Sequence, residues 1–138
     1  MQNKKWRVLI VDDEFRIGRL IKKLIHWDEF ALECVDVVDN GGTAFEIIQS
    51  VRCPDVVITD IRMPGKDGLY ISSFVHNNFP DKIVILITGF SDFKYAQTAI
   101  KNHVFDYILK PVDENVLKES VLKAIHTITE RKNQAITG

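Results

Sequence analysis

Short apolar runs alternate with amphipathic stretches along most of the chain. Three of these runs are almost unbroken and rich in β-branched residues: Val8–Val11, Val56–Ile58 and Ile83–Ile87. Such runs are typical of strands covered on both faces, so they predict the centre of a parallel sheet. Two weaker strands are predicted at Glu33–Val38 and Val104–Leu109.

Helical periodicity fills the intervals that follow the predicted strands. Apolar residues spaced three and four apart predict one amphipathic helix after each strand. Asp113 is expected to cap the last helix, which we expect to end near Arg131 and Lys132. The stripes are, in chain order, Ile17, Leu20, Ile21, Leu24 and Ile25; Ala44, Phe45 and Ile48; Ile71, Phe74 and Val75; Phe93, Ala96 and Ile100; and Leu117, Val121, Ala124, Ile125 and Ile128.

This alternation predicts an α/β fold with helices on both faces of a five-stranded parallel sheet. The flavodoxin-like strand order 2-1-3-4-5 fits five such units. The chain has 138 residues, of which 46% are hydrophobic, and this suits one domain with a substantial core. We assign residues 1–130 to that domain and expect residues 131–138 to be the end of the last helix or the start of a linker.

Charge and cysteine content narrow the classes of function. The 18 basic and 19 acidic residues give a net charge of -1, without the basic excess usual in a duplex DNA-binding domain. Any DNA contact is therefore expected to need a separate domain. The apolar run that follows the basic first residues is too short for a signal peptide or a membrane span. The two cysteines then indicate reduced thiols, and we expect a cytoplasmic protein without membrane contact.

Polar residues stand where four of the predicted strands end. Asp12 and Asp13 follow the first strand, Asp60 the third, Thr88 the fourth and Lys110 the fifth. Ligands of open α/β sheets bind outside the carboxyl ends of the strands. We therefore expect these side chains to meet at one edge of the sheet and to form a site.

The residue types at this edge predict a particular chemistry. Two carboxylates about 4 Å apart repel by ~4 kcal/mol at an effective dielectric near 20, so Asp12, Asp13 and Asp60 must take up protons or bind a cation. An open, all-oxygen site suits Mg²⁺. A cation, the Lys110 ammonium and the Thr88 hydroxyl suit a phosphoryl group, with Asp60 as the attacking carboxylate. Alternatively, Asp12 and Asp13 simply cap the first helix.

Four segments together resemble the receiver domain of two-component response regulators. They are Val11–Glu14, Asp60–Gly68, Thr88–Gly89 and Asp106–Pro111. Their order and spacing match the family, and the likeness extends over roughly residues 5 to 130. Any one of these segments alone would be a weak signal, but the set is highly specific.

The resemblance implies a phospho-acceptor and a metal site. Asp60 would receive a phosphoryl group from the phosphohistidine of a sensor histidine kinase. Asp13 and Asp60 would bind Mg²⁺ directly, Asp12 mainly through water, and the backbone carbonyl of Arg62 would be a further ligand. No core catalytic position departs from the family pattern.

The resemblance also implies a conformational switch. Lys110 and Thr88 would contact the phosphoryl oxygens, and the Tyr107 side chain would swing inward when Thr88 moves. The peptide bond between Lys110 and Pro111 is expected to be cis. The face made by the fourth helix, the fifth strand and the fifth helix would then contact an output domain or a second copy of the chain.

A finer likeness concerns the output. Thr59–Pro64, Gly89–Ala96 and the stretch around Trp27 resemble receivers joined to AraC-type helix-turn-helix domains. That likeness predicts part of a transcription regulator whose DNA-binding domain lies outside these residues. The alternative is a free-standing receiver or phosphorelay shuttle that acts through protein–protein contacts.

Three further classes are less well supported by the residues. A phosphatase with an aspartyl-phosphate intermediate typically needs an acid two residues past the nucleophile, where this chain has Arg62. A nucleotide or flavin site would place a Gly-rich loop, not Asp12 and Asp13, after the first strand. A receiver that works without phosphorylation usually lacks an acid or the lysine. We therefore expect no enzyme activity beyond the chain's own phosphorylation and slow self-dephosphorylation.

Overall fold

The fold confirms the predicted α/β architecture. The computed structural model describes residues 5–89, 92, 94, 97 and 104–137, and within these ranges five parallel strands form one sheet in the order β2-β1-β3-β4-β5. The fourth predicted helix, with Phe93, Ala96 and Ile100, lies outside the described residues. The elements are β1 (Trp6–Val11), α1 (Phe15–Leu24), β2 (Leu32–Val38), α2 (Gly41–Ile48), β3 (Val56–Asp60), α3 (Gly68–Asn78), β4 (Ile83–Thr88), β5 (Asp106–Leu109) and the C-terminal helix (Glu114–Thr137).

Alternating side chains of the central strands pack against helices on the two faces of the sheet. On one face, Leu9 and Val11 belong to a buried cluster that includes residues of α2 and α3. On the other face, Val8 and Ile10 belong to a cluster with residues of α1 and the C-terminal helix. Every residue of β3 and β4 is buried, as expected for strands covered on both sides.

The strand ends bring the predicted site residues to one edge. β3 extends to Asp60, which pairs with Ile87 of β4, and Thr88 pairs with Leu109 at the end of β5. Because neighbouring parallel strands end together here, the residues that follow them share this edge. β5 begins at Asp106, two residues later than the predicted strand.

The C-terminal helix differs from the prediction at its end. Asp113 caps it as predicted, since its Oδ1 accepts hydrogen bonds from the backbone N–H groups of Asn115 and Val116. The predicted end near Arg131 and Lys132 is wrong, because the helix continues to Thr137. The Arg131 guanidinium donates to the carbonyl of Pro80 at 2.9 Å, and the Lys132 ammonium lies 5.3 Å from the ring centre of Trp6. These cations therefore contact β1 and the segment before β4, and they do not mark the end of the helix.

Within the described ranges, no helix combines the length and apolarity needed to cross a membrane.

Candidate functional site

Two buried carboxylates and one ammonium meet at the carboxyl edge of the sheet. Lys110 Nζ lies 3.3 Å from Asp60 Oδ2 and 3.5 Å from Asp12 Oδ2. The side chains of Asp12 and Asp60 are 0% and 10% exposed, whereas that of Lys110 is 21% exposed. One ammonium therefore faces two carboxylates that water scarcely reaches, and the group carries excess negative charge.

Asp13 adds a third carboxylate at the exposed side of the group. Each of Asp12, Asp13 and Asp60 offers an oxygen within 4.8 Å of the oxygens offered by the other two. Oxygens at this separation can share one cation, and carboxylates are the ligands that hard divalent cations prefer. The sequence prediction that the three acids meet is therefore confirmed, and together they could hold a metal ion.

The surroundings of Asp12 fit such an ion. Its Oδ1 accepts a hydrogen bond of 2.8 Å from the backbone N–H of Glu14. Its buried Oδ2 accepts no hydrogen bond within the described part of the chain and lies 3.5 Å from the Lys110 ammonium. A buried carboxylate oxygen without a hydrogen bond costs free energy, and a cation in the group would remove that cost.

The helix-capping alternative for these acids is wrong. The N-cap of α1 is Glu14, whose side chain makes no capping hydrogen bond. Asp12 bonds to the backbone of Glu14 ahead of the helix, and Asp13 is exposed beside the acid group.

Burial and crowding change the protonation of the site. Burial, followed by the charge of Asp12, raises the pKa of Asp60 to about 6, although Lys110 opposes the shift. Burial also raises the pKa of Asp12. Burial lowers the pKa of Lys110, but the charges of Asp12 and Asp60 outweigh this effect and raise it above its ordinary value. Lys110 is therefore a fixed cation, whereas Asp60 is an acid whose ionised form is costly without a second cation.

Glycine allows the segment after Asp60 to fold closely over the end of β3. The backbone N–H of Gly68 donates to the carbonyl of Ile61 at 3.0 Å, which closes a loop over residues 62–67. A Cβ on Gly68 would lie 2.5 Å from the carbonyl oxygen of Asp60, so this approach requires glycine. Asp67 then caps α3 by accepting a hydrogen bond from the N–H of Tyr70.

The remaining predicted residues lie around this group. Thr88 is buried at the end of β4, and its hydroxyl donates to the carbonyl of Gly89 at 3.2 Å. Tyr107 is half-buried in β5 and packs beside the core cluster that contains Leu86. The peptide bond between Lys110 and Pro111 is cis, as expected. The roles of Thr88 and Tyr107 in a switch stay predictions.

Arg62 has a partner that the sequence did not reveal. Its Nε donates to Asp92 Oδ1, which joins the loop after β3 to the segment after β4. The exposed fractions of the two side chains are 64% for Arg62 and 20% for Asp92. The residues stand 30 positions apart, and no local pattern links them. The predicted role of the Arg62 carbonyl as a metal ligand stays a prediction.

Comparison with known proteins supports the resemblance to receiver domains that the sequence motifs indicate. Residues 8–122 match the family model described as the response regulator receiver domain. The receiver domain of AraT, a response regulator from Geobacillus stearothermophilus, is 38% identical, with a TM-score of 0.85, and the match covers 94% of this chain and 99% of that one. A two-component transcriptional regulator AraC from Clostridium phytofermentans ISDg is 31% identical, with a TM-score of 0.84 and coverage of 93% and 98%.

Longer relatives extend beyond the matched region. The transcriptional regulatory protein HptR of Staphylococcus aureus strain NCTC 8325 / PS 47 is 34% identical over 129 residues, which cover 94% of this chain and 50% of HptR. The chain thus spans about half the length of the curated relatives it matches.

Proposed function

Because the chain belongs to the response regulator receiver domain family, we propose that it accepts a phosphoryl group on Asp60 from the phosphohistidine of a sensor histidine kinase. The observation that carries the proposal is the position of Asp60. Its carboxylate ends a buried strand, lies 3.3 Å from the Lys110 ammonium, and offers an oxygen within 4.8 Å of those of Asp12 and Asp13.

The transfer is a displacement at phosphorus. An ionised Asp60 oxygen attacks, an O–P bond forms, and the P–N bond to the kinase histidine breaks with its electron pair leaving on nitrogen. Lys110 faces the oxygen of Asp60 and would pair with an oxygen of the transferred group. Thr88 at the neighbouring strand end would donate its hydroxyl to another oxygen, once that hydroxyl turns away from the carbonyl of Gly89.

The acid group fits a resident Mg²⁺. Asp13 and Asp60 would bind it directly, Asp12 mainly through water, and the Arg62 carbonyl would be a further ligand. When bound, Mg²⁺ neutralises negative charge on the carboxylates and on the phosphoryl oxygens. The unsatisfied Oδ2 of Asp12 and the raised pKa of Asp60 both support a second cation beside Lys110.

The chain acts as a switch and not as an enzyme on other substrates. It catalyses only its own phosphorylation and slow self-dephosphorylation, and the basic side chain of Arg62 supplies no general acid two residues past Asp60. Movement of Thr88 and Tyr107 transmits the change to the face around β5. That face would contact an output domain or a second copy of the chain.

The output is regulation of transcription through a separate DNA-binding domain. HptR is named as a transcriptional regulatory protein and is about twice as long as the matched region. The structurally similar AraC from Clostridium is likewise a two-component transcriptional regulator. The net charge of -1 in this chain agrees with DNA contact made by another domain.

Phosphorylation with a small donor tests the acceptor. With acetyl phosphate and Mg²⁺, we expect intact-mass spectrometry to detect the gain of one phosphoryl group, and we expect Asp60→Asn to abolish it. Asp28→Asn is the matched control, since Asp28 is exposed in the turn between α1 and β2 and should not affect labelling. Labelling of Asp60→Asn equal to that of the unaltered chain would refute Asp60 as the acceptor.

A further inference from the structure

The loop over residues 62–67 carries the Arg62 carbonyl, the proposed Mg²⁺ ligand outside the three acids. Its first half is fixed by Met63, which is 7% exposed and belongs to the core. Its end is fixed by the hydrogen bond from the N–H of Gly68 to the carbonyl of Ile61. Between these points the backbone turns at Gly65 with a φ of 76° and reaches Lys66.

The Lys66 side chain joins this loop to two helices. Its Nζ lies 5.0 Å from the ring centre of Phe45 in α2 and 5.7 Å from the ring centre of Tyr70 in α3. The two rings also contact each other, with centres 5.7 Å apart and planes tilted by 50°. The distances from the Lys66 Nζ to the two ring centres are within the range in which an ammonium is attracted by an aromatic face.

The Lys66 backbone makes a second close contact with α2. A Cβ on Gly41, the first residue of α2, would lie 1.7 Å from the carbonyl oxygen of Lys66. The obstacle is backbone, which cannot move aside as a flexible side chain could. The absent side chain of Gly41 therefore allows the loop to lie directly against the start of α2.

We propose that Lys66 is a positioning residue for the metal site. The contacts of its ammonium with Phe45 and Tyr70, and of its carbonyl with Gly41, hold the loop where the Arg62 carbonyl can complete the Mg²⁺ ligand set. The inference rests on the proposed function, in which that carbonyl binds Mg²⁺. Lys66 would thus affect the affinity for Mg²⁺ although it does not itself contact the ion.

Mg²⁺ affinity of matched variants tests this assignment. Lys66→Met keeps a long unbranched side chain but removes the charge, and we expect isothermal titration with Mg²⁺ alone to give a dissociation constant about two to five times larger. Lys66→Arg keeps a cation that can lie over the rings and should retain most of the affinity. Phe45→Leu removes one ring and should weaken binding in the same direction.

Two further comparisons separate positioning from general stability. The combined Lys66→Met and Phe45→Leu variant should lose less affinity than the sum of the single losses, because each change removes the same contact between Lys66 and Phe45. Lys118→Met removes an ammonium that lies 5.3 Å from the ring centre of Phe30, away from the acid group, and should leave Mg²⁺ affinity unchanged. With acetyl phosphate, Lys66→Met should need more Mg²⁺ for half-maximal labelling but keep its rate at saturating Mg²⁺.

The outcomes distinguish this inference from the proposed function. If the unaltered chain binds Mg²⁺ and Lys66→Met binds it equally well, the positioning role is overturned and the proposed function stands. An equal loss in Lys118→Met would also overturn the role, since the loss would then reflect general destabilisation. Failure of the unaltered chain to bind Mg²⁺ would overturn the proposed metal site and this inference together.

Discussion

The two ends of strand β3 carry aspartates that are almost equally buried but differently partnered. Asp55, just before the strand, has a side chain 8% exposed, and that of Asp60, the last residue, is 10% exposed. Asp55 Oδ1 lies 2.9 Å from Lys82 Nζ, and its Oδ2 accepts a hydrogen bond of 2.9 Å from the N–H of Arg7. Asp60 shares one ammonium with Asp12 and stands beside Asp13.

The difference shows that one strand can carry a balanced buried charge at one end and an unbalanced one at the other. At the Asp55 end, one cation matches one anion and both oxygens are satisfied, so the pair anchors β1, β3 and β4. At the Asp60 end, negative charge exceeds positive charge and a cation from solution would stabilise the group. Burial alone therefore does not identify the site, but the imbalance of charge does.

The largest expected change in the free energy of unfolding comes from removing the carboxylate of Asp55. Asp55→Ala should lower the free energy of unfolding by about 2–4 kcal/mol, because Lys82 and the N–H of Arg7 lose their buried partner. Urea denaturation near neutral pH measures this loss. Asp28→Ala, at an exposed position, provides the control. A loss for Asp55→Ala no greater than that of the control would contradict the structural role of the pair.

Removing the charge of Asp60, at the other end of β3, is expected to increase the free energy of unfolding. Asp60→Asn should raise the free energy of unfolding near neutral pH, without divalent cations, by about 1–2 kcal/mol. The shift of the Asp60 pKa from 3.8 to about 6 already includes the opposing attraction to Lys110, and it sets an upper limit of roughly 3 kcal/mol on the gain.

The pH dependence of that gain follows from the direction of the shift. The folded chain holds the Asp60 proton more tightly than the unfolded chain, so ionisation costs stability as the pH rises. The gain should be absent below about pH 4 and complete above about pH 6. Urea denaturation of both proteins across this range measures it. An Asp60→Asn protein that is less stable than the unaltered chain at every pH would contradict the excess of negative charge.

Binding of Mg²⁺ should offset part of the excess negative charge beside Asp60. At ten times its dissociation constant, Mg²⁺ should stabilise the unaltered chain by about 1.4 kcal/mol near neutral pH. The effect should fade as the pH drops below about 6, where Asp60 takes up a proton. Asp13→Asn should weaken Mg²⁺ binding at least about tenfold, which cancels most of this stabilisation.

Thermal denaturation with and without Mg²⁺ checks this prediction. Asp39→Asn serves as the control, since Asp39 is an exposed acid after β2 that does not belong to the acid group. Equal Mg²⁺ stabilisation of the Asp13→Asn and control proteins would show that the ion does not bind at these carboxylates.

Local sequence signals were sufficient to predict the strands and the site edge. Unbroken β-branched runs such as Val56–Ile58 predicted the buried strands, because parallel strands are apolar on both faces. The acids and Lys110 follow such runs directly, and the topology of a parallel sheet then brings them together. The meeting of these side chains at one edge was therefore predictable from the position of each residue at a strand end.

Features that depend on long-range packing were not predictable. The ion pair of Arg62 with Asp92 and the contacts of Lys66 with two rings join residues far apart in sequence. The hydroxyl of Thr88 donates to the next carbonyl, which its place in the motif did not indicate. The C-terminal helix continues past Arg131, whose side chain donates to the carbonyl of Pro80, although a basic pair is typical of a helix end.

The smallest effect is expected from charges that water screens on the surface. His26 is exposed, and its two ring nitrogens face Glu114 at the start of the C-terminal helix and Glu29, whose Oε2 is 3.1 Å from Nδ1. The hydrogen bond with Glu114, ahead of the charges of both acids, raises the pKa of His26. Stability from this pairing is present at low pH and disappears as the pH rises through the raised pKa.

Glu114→Gln should therefore lower the pKa of His26 towards its ordinary value while leaving the chain folded. An NMR titration of the histidine ring resonances measures this shift. Glu130→Gln is the matched control, because Glu130 contacts His126 and not His26, so this change should leave the pKa of His26 unaltered. An unchanged pKa of His26 in Glu114→Gln would show that solvent already cancels the pairing.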